Sequence, residues 1–409
     1  MNMFAKKLIF NPLSRNSLNL ADLDLHSAES MTDKVLSLSR ALIERASITP
    51  NEAGCLSLIE NRLKKIGMFN ERMDSAPVSN LYSSFSNHKP TLAFVGHVDV
   101  VPPGDLANWH TDPFKPIESE GYLYGRGSVD MKTAVAAMVI ALEEFDQLAI
   151  EKNIDIAMML TSDEEGEATQ GIKHVVEQLQ TRGQMINWAL VGEPSSEKQL
   201  GDSIKIGRRG SLTARVTIRG KQGHVGYPAQ IENPVKNASK ILNKLQHKQW
   251  DLPSRFFPAT SFQVVRFQCD SGADNISPAS VKFDFNMRFS PKQTIEKLQK
   301  YIEKQLKKSG QAYEVEWIID AEPFITRRSA IRQVVEQVIF DSNKSNPKLS
   351  TAGGTSDGRF LAKTGTQVVE LGLCNKRIHQ ANERAPIEDL GKLALMYLKI
   401  LIQMNQRNQ

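Results

Sequence analysis

Cysteine is scarce in this 409-residue chain: Cys55, Cys269 and Cys374 lie far apart and form no Cys-x-x-Cys pair. That excludes a disulfide-stapled scaffold and a thiolate zinc site, and it suits a reducing compartment, so the cytoplasm is the expected location. Long apolar runs are missing too. No window approaches the roughly 18 uninterrupted apolar residues of a membrane helix, and no membrane association is expected. Charge of one sign is also in short supply. The 51 Lys and Arg against 46 Asp and Glu leave +5, too mild at this length to argue for nucleic acid. There is no internal repeat or low-complexity tract, and no P-loop or dinucleotide fingerprint follows a strand. What remains is ordinary globular usage, long enough for two domains.

The N-terminus is the first feature of note. In "MNMFAKKLIFNPLSRNSLNLADLDLHSAES" the short apolar patch is cut by Asn11-Pro12, and no h-region or small-residue cleavage site follows. A secretory signal is therefore not expected. From Met31 the run "MTDKVLSLSRALIERA" has helical apolar spacing, with Thr32 as its cap. Residues 1–30 read as a poorly ordered extension, or as an over-long start with Met31 the functional one.

Beyond Met31 the chain alternates. Helix "NEAGCLSLIENRLKKIG" precedes strand "TLAFVGHVDVV"; helix "MKTAVAAMVIALEEF" precedes "IDIAMMLTS"; helix "IKHVVEQLQ" precedes "NWALVGEP". Near-continuous apolar strands between amphipathic helices predict an α/β fold with a mostly parallel sheet covered on both faces. After Gly210 the texture changes: "GSLTARVTIRG" and "ASVKFDFNMRFS" alternate polar with apolar, as a sheet with one wet face does. The order of elements over 210–322 fits an inserted α+β module of βαββαβ type. The expected parse is a discontinuous catalytic domain, 31–209 with 323–409, interrupted by that module.

Ligands of open α/β sheets bind beyond the carboxyl ends of the strands. Those ends deliver His97 and Asp99, then Asp130 before a helix, Glu164 and Glu165, Glu193, and finally His379. Each fragment alone is commonplace, but five converge on one edge. Crowded acids there call for a positive partner, and a metal centre is the expectation. Imidazole and carboxylate without thiolate suit zinc, manganese or cobalt better than magnesium or calcium. Two ions sharing one carboxylate would need about six ligand positions, which His97, Asp130 counted twice, Glu165, Glu193 and His379 supply. Asp99, two residues from His97 on an extended segment, is placed to accept the proton of that ring's other nitrogen. Glu164 and Glu165 are adjacent and face opposite ways if extended, so one can ligate while the other faces water as a base.

The fragments "GHVDVVPPGD", "LYGRGSVDMK", "TSDEEGE", "VGEPSS", "IKIGRRGS", "GKQGHVGYP", "GGTSDGRF" and "IHQANE" resemble the co-catalytic di-zinc peptidase and deacylase superfamily. Within it they are most similar to the bacterial succinyl-diaminopimelate desuccinylases, from about Met31 to the C-terminus. The resemblance implies one zinc on His97, Asp130 and Glu193 and the other on Asp130, Glu165 and His379, with cobalt or manganese admitted at one site. It makes Glu164 the general base and Asp99 the partner of His97. It also implies a homodimer in which His224 of the inserted lid and dimerisation domain reaches the neighbouring subunit's site. Around a small dicarboxylate amide substrate it puts Arg208, Ser211, Tyr227, Asn275, Arg288, Gly354, Thr355 and Asn375. One departure stands out: Asp274 in "SGADNISP" occupies a place where relatives carry Asn or Thr, and it is left outside the site. Sister activities on this scaffold, such as acetylornithine deacetylase, aminoacylase or carboxypeptidase, share the metal residues, and a non-catalytic metal-binding protein would have lost a ligand or the base.

Overall fold

The computed structural model describes residues 25–85 and 89–407. The extension expected over 1–30 falls outside these up to residue 24. The first helix, Leu25–Ile43, begins six residues before Met31. Thr32 is therefore not its cap: the hydroxyl lies inside the helix and donates to the Ala28 carbonyl at 3.0 Å. Ala28 and Met31 are both buried. The helix gains its extra turn from an apolar stripe that the polar sequence "SAESMT" hides.

The chain divides into two compact units. The first comprises the described parts of Met1–Asp202, Gln333–Pro347 and Leu371–Gln409. Its strands run in the order Phe69–Arg72, Asn80–Ser84, Asp155–Thr161, Thr91–His97, Trp188–Val191. The last three are mutually parallel, while the first two join antiparallel at the edge. Every residue of Thr91–His97 and Asp155–Thr161 is buried. Such strands need cover on both faces, hence their continuous apolar reading. The helices Leu25–Ile43, Lys132–Gln147 and Ile387–Gln406 pack on one another; Cys55–Lys65 packs on the two edge strands, and Ile172–Thr181 on Asn80–Ser84 and Asp155–Thr161. Fully burying a Leu, Ile or Val contributes about 1.5–3 kcal/mol. The helix Lys132–Gln147 alone buries Val135, Val139, Ile140 and Leu142.

The second unit comprises Ser203–Arg332 and Lys348–Glu370. Within it lies the expected βαββαβ order: Gly210–Arg219, Pro234–Gln246, Ser261–Gln268, Ser280–Phe289, Ile295–Lys307 and Tyr313–Ala321. Its four strands form an antiparallel sheet. Leu212, Val216, Phe283 and Phe285 point from the sheet onto Ile241, Leu245, Leu298 and Ile302 of the two helices. Thr294 caps the second helix, accepting from the Lys297 amide at 3.3 Å, a contact typically worth ~1 kcal/mol.

The unit extends beyond 210–322 because flanking pieces pair among themselves. Lys348–Ser350 runs parallel to Ser203–Lys205, and Phe324–Ile325 lies antiparallel to Gly207–Arg208. Overall the chain is an α/β protein with a mostly parallel central sheet. Among the described residues, no helix is long and apolar enough to cross a membrane.

Candidate metal centre

Parallel register builds the site. Val95 lies opposite Val191, so His97 and Glu193 emerge side by side from neighbouring strands. On the other flank His97 lies opposite Thr161, and the chain beyond Thr161 delivers Glu164 and Glu165. The repeated "VGH" and "VGE" have a steric purpose. A Cβ at Gly96 or at Gly192 would fall 2.5 Å from Cε of Met131 in either case. The missing side chains leave a slot at the strand ends. Met131, fully buried, fills it and seats its neighbour Asp130 at His97.

The side chains then form two trios that share Asp130. His97 Nε2 lies 3.2 Å from Asp130 Oδ1 and 3.6 Å from Glu193 Oε1. His379 Nε2 lies 3.4 Å from Asp130 Oδ2 and 2.8 Å from Glu165 Oε1. Atoms held at zinc–ligand bonds of ~2.0–2.1 Å in a tetrahedron stand about 3.4 Å apart, so these donors fit divalent ions. The donor chemistry agrees: imidazole and carboxylate, with no thiolate among the clustered residues. Ligand-atom spacing groups His97 and Asp130 with Glu165, and His97 and Glu193 with Glu164, so both glutamates reach the cluster around His97.

Asp99 behaves differently from the expectation. His97 Nδ1 is 2.9 Å from the main-chain oxygen of Asp99 and 3.6 Å from its carboxylate, so the backbone carbonyl fixes the ring. The carboxylate, wholly buried, is drawn to better donors. It accepts from Thr49 Oγ1 at 2.7 Å and from the amides of Glu165 at 3.2 Å and Glu164 at 3.4 Å. Asp99 thus holds the turn that carries both glutamates.

The fields in the cluster are those of a cation site. Burial alone would depress the His97 imidazolium, but its bond to Asp130 and the charges of Asp99, Asp130 and Glu193 outweigh it and raise the pKa well above ordinary histidine. Bonds to Asp130 and Glu165 push His379 up to about 10. Burial works against the Asp130 charge, yet the two histidines hold its carboxyl below the usual range.

Two residues that sequence reasoning missed complete the centre. Glu383, fully buried, accepts from Arg126 Nη1 at 2.7 Å and from the amides of Gly127, Val129 and Asp130 at 3.1, 2.8 and 3.1 Å. Glu383 closes the quoted "IHQANE", and its burial is the signal that a charged residue in a loop does not advertise.

The remaining expected residues lie in the second unit, except for half-buried Asn375, whose amide donates to the Ser196 carbonyl at 3.0 Å in the first. Arg208 is not a free cation. Its guanidinium forks onto buried Glu370, and Nη1 donates to the Gly354 carbonyl at 3.1 Å. Ser211 Oγ donates to Asp320 at 2.8 Å. Arg288 is half-buried; burial lowers its pKa, the Asp320 charge opposes this, and Arg359 and Arg208 add to it. Among the described residues no carboxylate lies within ion-pair distance of Arg288. Thr355 is half-buried and Gly354 exposed. His224 and Asn275 are exposed on adjoining segments: His224 pairs with Ile276, and Val225 N donates to Asn275 O at 2.9 Å. Tyr227 stands edge-on to the His224 ring.

A succinyl-diaminopimelate desuccinylase of Alkalilimnicola ehrlichii is 44% identical over 368 residues, 90% of this chain and 98% of that protein. One of Halorhodospira halophila is 45% identical over 366 residues, 90% and 97%. Among solved structures, Bacillus subtilis YXEP, described as a dinuclear metal binding peptidase, superposes with a TM-score of 0.70 at 13% identity, covering 93% of this chain and all of that one. The family model described as peptidase family M20/M25/M40 matches residues 93–403, a span that contains both histidine trios. The chain belongs to peptidase family M20/M25/M40.

Proposed function

We propose that the chain is a metal-dependent amidohydrolase that cleaves N-succinyl-LL-diaminopimelate to succinate and LL-diaminopimelate, feeding lysine and peptidoglycan synthesis. The observation that carries this reading is the pair of histidine trios joined through Asp130. The named activity of the relatives, alike over nine-tenths of the chain, supplies the substrate. His97, Asp130 and Glu193 would hold one divalent ion and Asp130, Glu165 and His379 the other, zinc in both, with cobalt or manganese admitted at one. When bound, the ions supply Lewis acidity that polarises an amide carbonyl and brings the pKa of a water towards ~7.

The chain's own groups do the rest. Glu164 takes the proton from the attacking water and hands it to the departing amine. Asp99 and Thr49 hold the turn on which Glu164 sits, and the Asp99 main-chain oxygen fixes the His97 tautomer. Carboxylate recognition falls to the second unit. Arg288, which has no acid in ion-pair reach among the described residues, keeps its planar fork for a substrate carboxylate. Ser211, Tyr227, Asn275, Gly354, Thr355 and Asn375 complete the substrate contacts in this reading. Arg208, with its fork closed on Glu370, acts through the Gly354 loop that it bonds.

The working form is a homodimer, with the partner subunit's His224 steadying the oxyanion. His224 Nδ1 accepts from the Gly226 amide at 3.0 Å, so the neutral ring carries its proton on Nε2, a donor of the needed kind. Within the second unit, 210–322 serves as the lid and dimerisation module, while the metal residues belong to the first unit. The cytoplasm, where the separated thiols Cys55, Cys269 and Cys374 stay reduced, is the proposed location.

Substrate preference tests the reading. Succinyl-diaminopimelate should be cleaved much faster than N-acetylornithine, and equal rates would refute the assignment. Arg288→Lys keeps the charge and loses the fork. It should cost about 1–3 kcal/mol in kcat/KM for the succinylated substrate, a fall of roughly fivefold to 150-fold. An unchanged kcat/KM removes Arg288 from substrate recognition.

A further inference from the structure

We infer that Glu383 is a positioning residue that sets the shared ligand Asp130, a role that rests on the two-ion reading above. Four donors converge on its carboxylate. Oε1 takes the amides of Val129 and Asp130, and Oε2 takes the Gly127 amide and Arg126 Nη1. Its main-chain oxygen takes a fifth, the Gly125 amide at 3.0 Å. The whole turn from Gly125 to Asp130 is thus gripped by one residue 253 positions away in sequence.

The same short segment carries His379 four residues earlier, so one loop supplies a ligand to one trio and sets the backbone of the residue common to both. Asp130 must offer Oδ1 to His97 and Oδ2 to His379 at once, so the placement of its backbone bears on both contacts. Arg126 neutralises the strap, with its guanidinium over the Trp109 ring, and Asn382 ties the loop further through Asn108 and His110. The charges bear on metal binding as well. Removing only Glu383 leaves the buried Arg126 cation uncompensated beside a site for cations.

Calorimetric titration of zinc into chelator-stripped, full-length protein reads this directly. Wild type should take up two ions per chain. Glu383→Gln places an amide N–H₂ against the Gly127 amide and Arg126, and should weaken at least one ion about ten- to a hundredfold, the usual range for groups that orient ligands. Circular dichroism of the stripped protein must show that the variant is folded. Should it not fold, Glu383→Asp carries the same test, since it keeps the Arg126 ion pair but is one methylene too short to hold all the amides. Arg126→Met with Glu383→Gln removes the stray charge. Zinc affinity that stays weak in this double variant supports positioning; wild-type affinity there means charge alone was at work and overturns it. Wild-type affinity in a folded single variant overturns the inference while leaving the metal centre standing. If wild type itself binds no ion, the metal reading fails and this role fails with it.

Discussion

Glu164→Gln should reduce turnover by about 10²–10⁴-fold, the usual contribution of a positioned general base, while the protein keeps both ions. The amide preserves the shape and the hydrogen-bonding capacity of the side chain but has no proton affinity to offer. Glu165→Ala should behave differently. Its carboxylate is the 2.8 Å partner of His379, so the variant should lose one ion and activity with it. The contrast matters because the two residues are adjacent and both amides hang on Asp99. Glu164 also lies within ligand distance of His97 and Glu193. Loss of an ion in Glu164→Gln would therefore make it a ligand, and turnover within about tenfold of wild type would leave the base unassigned. Metal content by elemental analysis and kcat on the same preparations separate these outcomes.

Mixing two dead variants should restore activity. In this account His224→Ala and Glu164→Gln are each nearly inactive as homodimers. In a mixed dimer one site combines an intact Glu164 with the partner subunit's intact His224, and the other site carries both lesions. Random exchange makes about half of the dimers mixed, each with one working site, so recovery should approach about a quarter of wild type. The exchange itself is checked with distinct affinity tags on the two chains. Mixed dimers that form and stay inactive would mean that His224 acts within its own subunit or has no part in the reaction. The exposed position of His224 and the orientation of its ring, set by the Gly226 amide, motivate the experiment.

The strands that carry the metal residues were legible because each is a continuous apolar run that ends in a charged residue. Parallel pairing then brings His97 beside Glu193 with no further information needed. The edge strands Phe69–Arg72 and Asn80–Ser84 were not legible. "FNER" and "NLYSS" carry little apolar signal of their own, and none of the four residues of the first is buried. The role of Asp99 was half legible. Its place beside His97 follows from spacing, but a carboxylate goes to the strongest donors in reach, and Thr49 comes from a segment 50 residues earlier. Arg208 shows the same limit. In "GRRGS" it reads as a reader of substrate, yet its fork is filled by Glu370, 162 residues later. Glu383 lay beyond sequence reasoning for the same reason: a buried acid is recognised by its partners, and those are distant in the chain.

Hydrolysis of the succinyl amide should depend on two ions held by this chain. Protein stripped with chelator and titrated with zinc, while succinate release from N-succinyl-LL-diaminopimelate is followed, tests it most directly. The stripped protein should release no succinate, activity should return as zinc is added, and two ions per chain should bring it to its maximum. Full activity in excess chelator, or zinc uptake without any release of succinate, would contradict it.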